Sequence, residues 1–327
     1  MQKSYHVYGI GNALVDMEYP VDDAFIERHA IAKGHMTLVD EERQALLTGD
    51  LAGIEAQRGS GGSAANTLIA ASGFGAKAFY SCKVADDEAG SFFVRDLEAA
   101  GVATNAQNHH EPGVTGRCLV LITPDAERTM NSYLGISVTL SAHQVDEAAL
   151  LDSECLYMEG YLCSSDSARQ AVIHAREIAR AKGVKLFATL SDPSMVEIFR
   201  PQLGAMIGEH VDHLFCNEEE ALGWTGADDV DGAIEALRKQ ADSFCITLGA
   251  KGSMVFDGKQ RIDIPAEKVK AVDTNGAGDI YAGAFIYGLT HGLGYEGAGR
   301  LASRAAAKLI TRFGARLPFA EHRQLLG

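Results

Sequence analysis

Short apolar runs alternate along this chain with longer stretches in which apolar residues recur every three or four positions. Tyr5–Ile10 is the first such run, followed by residues 155–158, 184–190, 213–216 and 244–248. Residues 88–100, 165–182 and 229–240 carry the helical spacing. Strands that alternate with helices predict an α/β fold with a mostly parallel sheet flanked by helices. Each run hands over to small or polar residues. Gly11, Asn12 and Asp16 follow the first, Glu159-Gly160 the second and Ser191-Asp192-Pro193 the third. Asn217 and Glu220 follow the fourth, and Gly249 and Gly252 the fifth. Ligands of such sheets gather beyond the carboxyl ends of the strands, so the repeat predicts a site along one sheet edge.

Two segments break this rhythm. Residues 116–122 and 127–133 read as a β-hairpin around a turn containing Pro124 and Asp125. Residues 17–59 lack the strand–helix alternation. The expected organisation is a large α/β domain from 1–16, 60–111 and 136–327, with a small β-rich lid from 17–59 and 112–135.

Composition narrows the class. At 327 residues and 46% apolar, the chain can bury a sizeable core. A formal net charge of −15 argues against nucleic acid as a partner. Six cysteines without a C-x-x-C pair read as buried, reduced thiols. No apolar run is long enough to span a bilayer, and the first seven residues do not resemble a signal peptide. The expectation is a cytoplasmic protein, monomer or homodimer, with no membrane partner.

The strongest chemical signal is Val272-Asp273-Thr274-Asn275-Gly276-Ala277-Gly278-Asp279, followed by an apolar helical stretch. A small-residue turn lets backbone approach a ligand. The helix start behind it offers unpaired N–H groups and a positive dipole end, which suit an anion. Asp279 adds an acceptor beside that anion site. A base for a hydroxyl proton and donors for a moving phosphate are what phosphoryl transfer to an alcohol requires. Familiar nucleotide loops are missing. There is no G-x-x-x-x-G-K-[ST], and the G-x-G-x-x-G at 292–297 follows a helix rather than a strand.

These residues resemble a known family. The 272–279 stretch is similar to the C-terminal signature of the ribokinase family, the pfkB carbohydrate kinases, and Gly61-Gly62-Ser63-Ala64-Ala65-Asn66 to its N-terminal one. Asn217-Glu218-Glu219-Glu220 resembles its N-x-x-E motif, and Thr247-Leu248-Gly249-Ala250-Lys251-Gly252 its T-x-G-x-x-G motif. The four fall in family order. The resemblance implies a Rossmann-like core with a lid, and ATP-dependent transfer of the γ-phosphate to a primary hydroxyl of a nucleoside or sugar. It implies Asp279 as base and the N–H groups of Gly276, Ala277 and Gly278 as the anion hole. Asn12, Asp16, Gly61, Gly62 and Asn66 would bind the acceptor, and Arg128 on the lid would reach the phosphates. Asn217, Thr247, Gly249, Gly252 and Asn275 would border ATP. Glu220 would organise Mg²⁺ through water, and a monovalent cation stays open.

Gly11-Asn12-Ala13-Leu14-Val15-Asp16 and Asn275 resemble the adenosine kinase branch. That branch carries a stacking aromatic where this chain has Thr189-Leu190-Ser191-Asp192-Pro193-Ser194, so Tyr161 is the candidate ring. Asp192 suits a hydroxyl-rich sugar instead. A sugar kinase of the ribose or fructose type, and a non-catalytic nucleoside- or sugar-binding protein, are the alternatives.

Overall fold

The computed structural model describes residues 3–34, 36–108, 111–125 and 127–326. Strands in the first half are β1 (Tyr5–Ile10), β2 (Leu14–Pro20), β3 (Met36–Leu38), β4 (Gln57–Gly61), β5 (Ala78–Ser81), β6 (Val102–Thr104), β7 (Thr115–Ile122) and β8 (Arg128–Gly135). The second half adds β9 (Ser153–Met158), β10 (Lys185–Thr189), β11 (Val211–Asn217), β12 (Ala241–Thr247), β13 (Ser253–Phe256) and β14 (Arg261–Ile264). Among the described residues they form two sheets.

The nine-stranded sheet runs β14-β13-β12-β11-β10-β9-β1-β5-β6. From β12 to β6 every pairing is parallel, and the β12–β13 and β13–β14 pairings are antiparallel. Parallel strands need crossovers, and helices make them, so both faces are covered. That is why these strands read as continuous apolar runs. Successive residues still point to opposite faces. Cys155 and Tyr157 of β9 pack into one cluster, with the helices Ser63–Phe74, Ala277–Thr290 and Gly294–Leu309. Leu156 and Met158 pack into the other, against helix Asp166–Ala181. All six cysteines are free and buried, as their apolar settings led us to expect.

Helices 63–74 and 277–290 lie unusually close. A Cβ placed on Gly283 would stand 2.4 Å from the Thr67 carbonyl oxygen. The absence of that one atom brings the two helix N-termini together.

The five-stranded sheet runs β3-β8-β7-β2-β4. The expected hairpin is present: β7 and β8 pair antiparallel from Thr115↔Gly135 to Ile122↔Arg128. Ala126 of its turn lies outside the described residues. The pleat sorts this sheet cleanly. Leu119 and Leu121 pack with Tyr19, Phe25, Ile26, Leu47 and Leu51, where helices Asp23–Arg28 and Glu41–Asp50 supply cover. Cys118, Val120, Met130, Ser132 and Leu134 face the opposite way, into a cavity beside the large sheet. The sheet takes in Leu14–Asp16 through β2 and Ser60–Gly61 through β4. Asp16 is therefore a strand residue, not part of a loop after β1. No helix among the described residues is long and apolar enough to cross a membrane.

Candidate active site

The cavity at the carboxyl edge of the large sheet holds about 410 Å³. Its floor comes from the strand ends: Asn12 after β1, Glu159 after β9, Ser191 and Asp192 after β10, Asn217 and Glu220 after β11, and Thr247 on β12. Its roof is the apolar face of the small sheet, with Leu14, Met36, Leu38, Val120, Met130 and Leu134. Asp16 also lines it, as do Gly62, Ser63 and Asn66 at the start of helix 63–74 and Thr274 to Asp279 at the start of helix 277–290.

The turn before helix 277–290 depends on Gly276. It caps the helix with φ +72°, a left-handed conformation that favours glycine, and a Cβ there would meet the Ala315 carbonyl at 2.7 Å. The N–H groups of Gly276 and Gly278 open the helix, where first-turn donors lack intrahelical partners. The Ala277 N–H instead closes the turn on the Thr274 carbonyl at 3.2 Å.

Asp279 stands three residues past the cap and does not cap. Its carboxylate accepts from Ser63 Oγ at 2.6 Å and Asn66 Nδ2 at 3.3 Å, both on helix 63–74. Asp16 packs against Gly61, where a Cβ would come 2.2 Å from the carboxylate. Gly62, at φ +101°, lets the backbone pass under the Asn12 carbonyl, 2.4 Å from where a Cβ would sit.

Glu159 was not singled out from sequence, although it occupies the same "strand, then polar residue" position as its neighbours. It is 1% exposed and accepts from Asn12 Nδ2 at 2.8 Å, Asn12 N at 3.2 Å and Ala64 N at 2.9 Å. It ties the end of β1 to the start of helix 63–74. Ser63, Asp273 and Arg316 were also unassigned. Asp273 accepts from the N–H groups of Asn275 at 3.0 Å and Gly314 at 2.9 Å, which holds the anion turn against the C-terminal segment.

Other expected residues have more structural duties. Asn217 and Glu220 cap helix Glu218–Thr225 reciprocally: the Glu220 N–H donates to Asn217 Oδ1 at 2.8 Å and the Asn217 N–H donates to Glu220 Oε2 at 3.1 Å. Asp192 caps helix Pro193–Ile198, with Oδ1 taking the Ser194 N–H and hydroxyl at 2.8 and 2.5 Å. Its Oδ2 faces the Tyr161 hydroxyl at 3.5 Å. Arg128 is buried outside the cavity wall, with Nη2 2.8 Å from Glu18 and Nε 3.1 Å from Asp273. It meets the anion turn from behind. Gly249 and Gly252 flank the 3₁₀ turn Gly249–Lys251 and also lie off the wall, while Thr247 and Asn275 are on it.

Burial pushes four carboxyl groups of this cavity upward: Asp16 to about 7, Glu159 to about 7, Glu220 to about 7 and Asp279 to about 6. Asp16 and Asp279 are half-buried, with protein on most sides. Donation from Ser63 and Asn66 and the charge of Arg316 pull Asp279 back down. A chemical base must be ionised, so turnover is expected to rise with pH along an acidic limb near pH 6. Stability runs the opposite way. A carboxyl whose folded pKa is raised favours folding fully below its unfolded value, and that contribution is lost as pH rises through the folded one. Asp279→Asn should therefore gain thermal stability relative to the parent as pH rises from 3.8 to about 6, read as the difference in Tm, with the difference level at higher pH. A constant difference between pH 3.8 and about 6 would contradict the raised pKa.

The profile of the pfkB family carbohydrate kinases matches residues 36–323. The chain belongs to that family. It is accordingly a phosphotransferase with an alcohol group as acceptor. A ribokinase from Haemophilus influenzae is 32% identical over 275 residues, covering 81% of this chain and 85% of that one. Two crystal structures superpose over 99% of both chains. One is of an adenosine kinase from Sinorhizobium meliloti, at 35% identity and TM-score 0.86. The other is of a probable sugar kinase from Rhizobium etli CFN 42, at 32% identity and TM-score 0.88. A pfkB kinase supplies the alcohol-acceptor chemistry that the anion turn and Asp279 had suggested on their own.

Proposed function

We propose that this kinase moves the γ-phosphoryl group of ATP to the primary hydroxyl of a nucleoside, with adenosine the best-fitting type. The observation that carries the acceptor class is the contrast between floor and roof. Asn12, Asp16, Gly62 and Asn66 offer hydrogen-bonding groups for a ribose, whereas Met36, Leu38, Val120, Met130 and Leu134 form an apolar ceiling. A bare pentose has nothing apolar to set against that ceiling, and a nucleobase does. Tyr161 lies on the wall nearby and can flank the base. Asp192 was the argument for a sugar, and its engagement as a helix cap weakens it. The adenosine kinase from S. meliloti adds support.

Asp279 takes the proton of the acceptor hydroxyl, and the helix start at Gly276 to Gly278 receives the charge of the transferring group. Asn217, Thr247, Gly249, Gly252 and Asn275 border ATP. Magnesium fits the donor set. Glu220 is a buried carboxylate lining the same cavity as the anion turn, and no group of three or more His, Cys, Asp or Glu among the described residues could hold a metal unaided. A cation that retains water and binds largely through substrate phosphates suits such a site, with Glu220 holding it through water. When bound, it neutralises charge on the phosphates. The small sheet is proposed to act as a lid, since its inner face completes the cavity and excludes water from the reaction.

Acceptor-dependent ADP formation with Mg-ATP tests the reading across adenosine, inosine, ribose and fructose. The expected order puts adenosine first in kcat/KM, by about 10²-fold or more over ribose, since a buried base contributes several kcal/mol. Ribose or fructose as the best acceptor would overturn the nucleoside assignment.

A further inference from the structure

Behind the base lies a cation that the reaction as described does not use. Arg316 sits in the C-terminal segment, between Ala315, which packs on Gly276, and the buried Leu317. Its three guanidinium nitrogens have three separate partners. Nε donates to Asn66 Oδ1, Nη1 to Asp96 Oδ2 and Nη2 to Ser60 Oγ, each at 3.0 Å. Asp96 Oδ2 also accepts from the Ser60 N–H at 2.9 Å and hydroxyl at 2.6 Å, so the guanidinium is held rigidly from outside.

The bond to Asn66 decides the orientation of that amide. With Oδ1 accepting from Arg316, Nδ2 must point the other way, and it donates to Asp279 Oδ2. A flipped amide would set its carbonyl against the carboxylate of Asp279 and repel it. Asn66 is 7% exposed, so solvent cannot fix its orientation instead.

We infer that Arg316 is a positioning residue for the phosphoryl-transfer base: anchored by Asp96 and Ser60, it locks the Asn66 amide onto Asp279 and sets a fixed positive charge beside Asp16 and Asp279. The inference rests on the reading of Asp279 as base. The charge acts on a crowded acidic centre. The charge of Asp279 raises Asp16 on β2, Glu159 after β9 and the phenols of Tyr80 on β5, Tyr157 on β9 and Tyr161, while Ser63 and Asn66 donate to it from helix 63–74. Arg316 lowers both Asp16 and Asp279 against the burial that raises them, and Arg128 adds to it at Asp16.

The test uses the full chain with ¹³C-labelled aspartate, and it needs no acceptor. The carboxyl resonance missing from Asp279→Asn identifies Asp279, and its titration is followed in Arg316→Met, Arg316→Gln and Arg316→Lys. Loss of the charge in the Met and Gln variants should raise the midpoint by about one pH unit, the lower end of what an opposite charge exerts. Lys should leave it near the parent value. The acidic limb of kcat should move in parallel. If Met does not fold, Gln keeps a donor amide and carries the same expectation. A midpoint unmoved in the neutral variants, or moved equally by Lys, overturns the role of Arg316. An Asp279→Asn enzyme with parental turnover instead removes the base reading and this inference with it, so the two failures are distinct.

Discussion

Replacing Asp279 with Asn should reduce kcat by about 10²–10⁴-fold, the range that a positioned general base contributes, and leave affinity for a non-hydrolysable ATP analogue unchanged. The substitution is isosteric. The Asn oxygen can still accept from Ser63 Oγ, now at 2.6 Å from the carboxylate, while the new amide nitrogen loses the bond that Asn66 Nδ2 donates to Asp279 Oδ2 at 3.3 Å. What disappears is a site for the acceptor proton at the one place where helix 63–74, helix 277–290 and the acceptor floor converge. Single-turnover kinetics with saturating adenosine and Mg-ATP, paired with calorimetric titration of the analogue, separate chemistry from binding. Near-parental single-turnover rates would show that the proton leaves by another route.

The second large effect is expected at Gly276. Alanine there must hold φ +72° with its Cβ 2.7 Å from the Ala315 carbonyl oxygen and 2.9 Å from Ala315 Cα. Both atoms are backbone and cannot rotate away. The left-handed conformation alone costs about 1–2 kcal/mol, and relieving the contact moves the turn whose N–H groups are proposed to face the transferring phosphate. Loss of a donor from such an anion hole costs about 10²–10³ in kcat. Gly276→Ala should therefore show both a lower Tm and a kcat deficit, with acceptor KM little affected because Asn12, Asp16 and Asn66 lie on other elements. Gly278 is the internal control. Its φ is ordinary and a Cβ there has open space, so Gly278→Ala should be far milder. Equal deficits at the two glycines would mean that backbone geometry at Gly276 is not what matters.

Period and punctuation carried much of this architecture in the sequence. The β7–β8 hairpin was legible because an apolar run gives way to a turn containing Pro124 and Asp125 before the chain resumes an extended pattern. The parallel strands β1 and β9 to β12 were legible as apolar runs, each followed by polar residues at the same sheet edge, whereas β5 and β6, of four and three residues, were too short to be singled out. Asp16 was misplaced because only three residues separate β1 from β2, too few to announce that the chain has changed sheets. Asn217 and Glu220 satisfied two descriptions at once: N-x-x-E spells a capping box as well as a phosphate-side motif, and the capping box is present. Arg316 left no local signal. Its partners Ser60, Asp96 and Asn66 are 256, 220 and 250 residues away, and no pattern around 316 points to them. Arg128 was read as an arm reaching for phosphate, yet its guanidinium is occupied by Glu18 and Asp273. Residue type suggests charge; only packing says where that charge is used.

The joining of the two helix starts has a further consequence for how the protein is made. Among the described residues, the last strand ends at Ile264, while Asp279, the anion turn and Arg316 all come later. During synthesis from the N-terminus, every described strand of both sheets, with Asn12 and Asn66, can therefore be made before Asp279, the proposed base. Ser63 must wait 216 residues for Asp279, and such distant contacts form late because the loop entropy is spent first. Without helix 277–290 the apolar roof of the cavity would lack one of its walls, the kind of exposed apolar surface that makes incomplete folds prone to aggregate. Turnover is therefore expected only once the segment from Gly276 to Arg316 has joined the strands made before it.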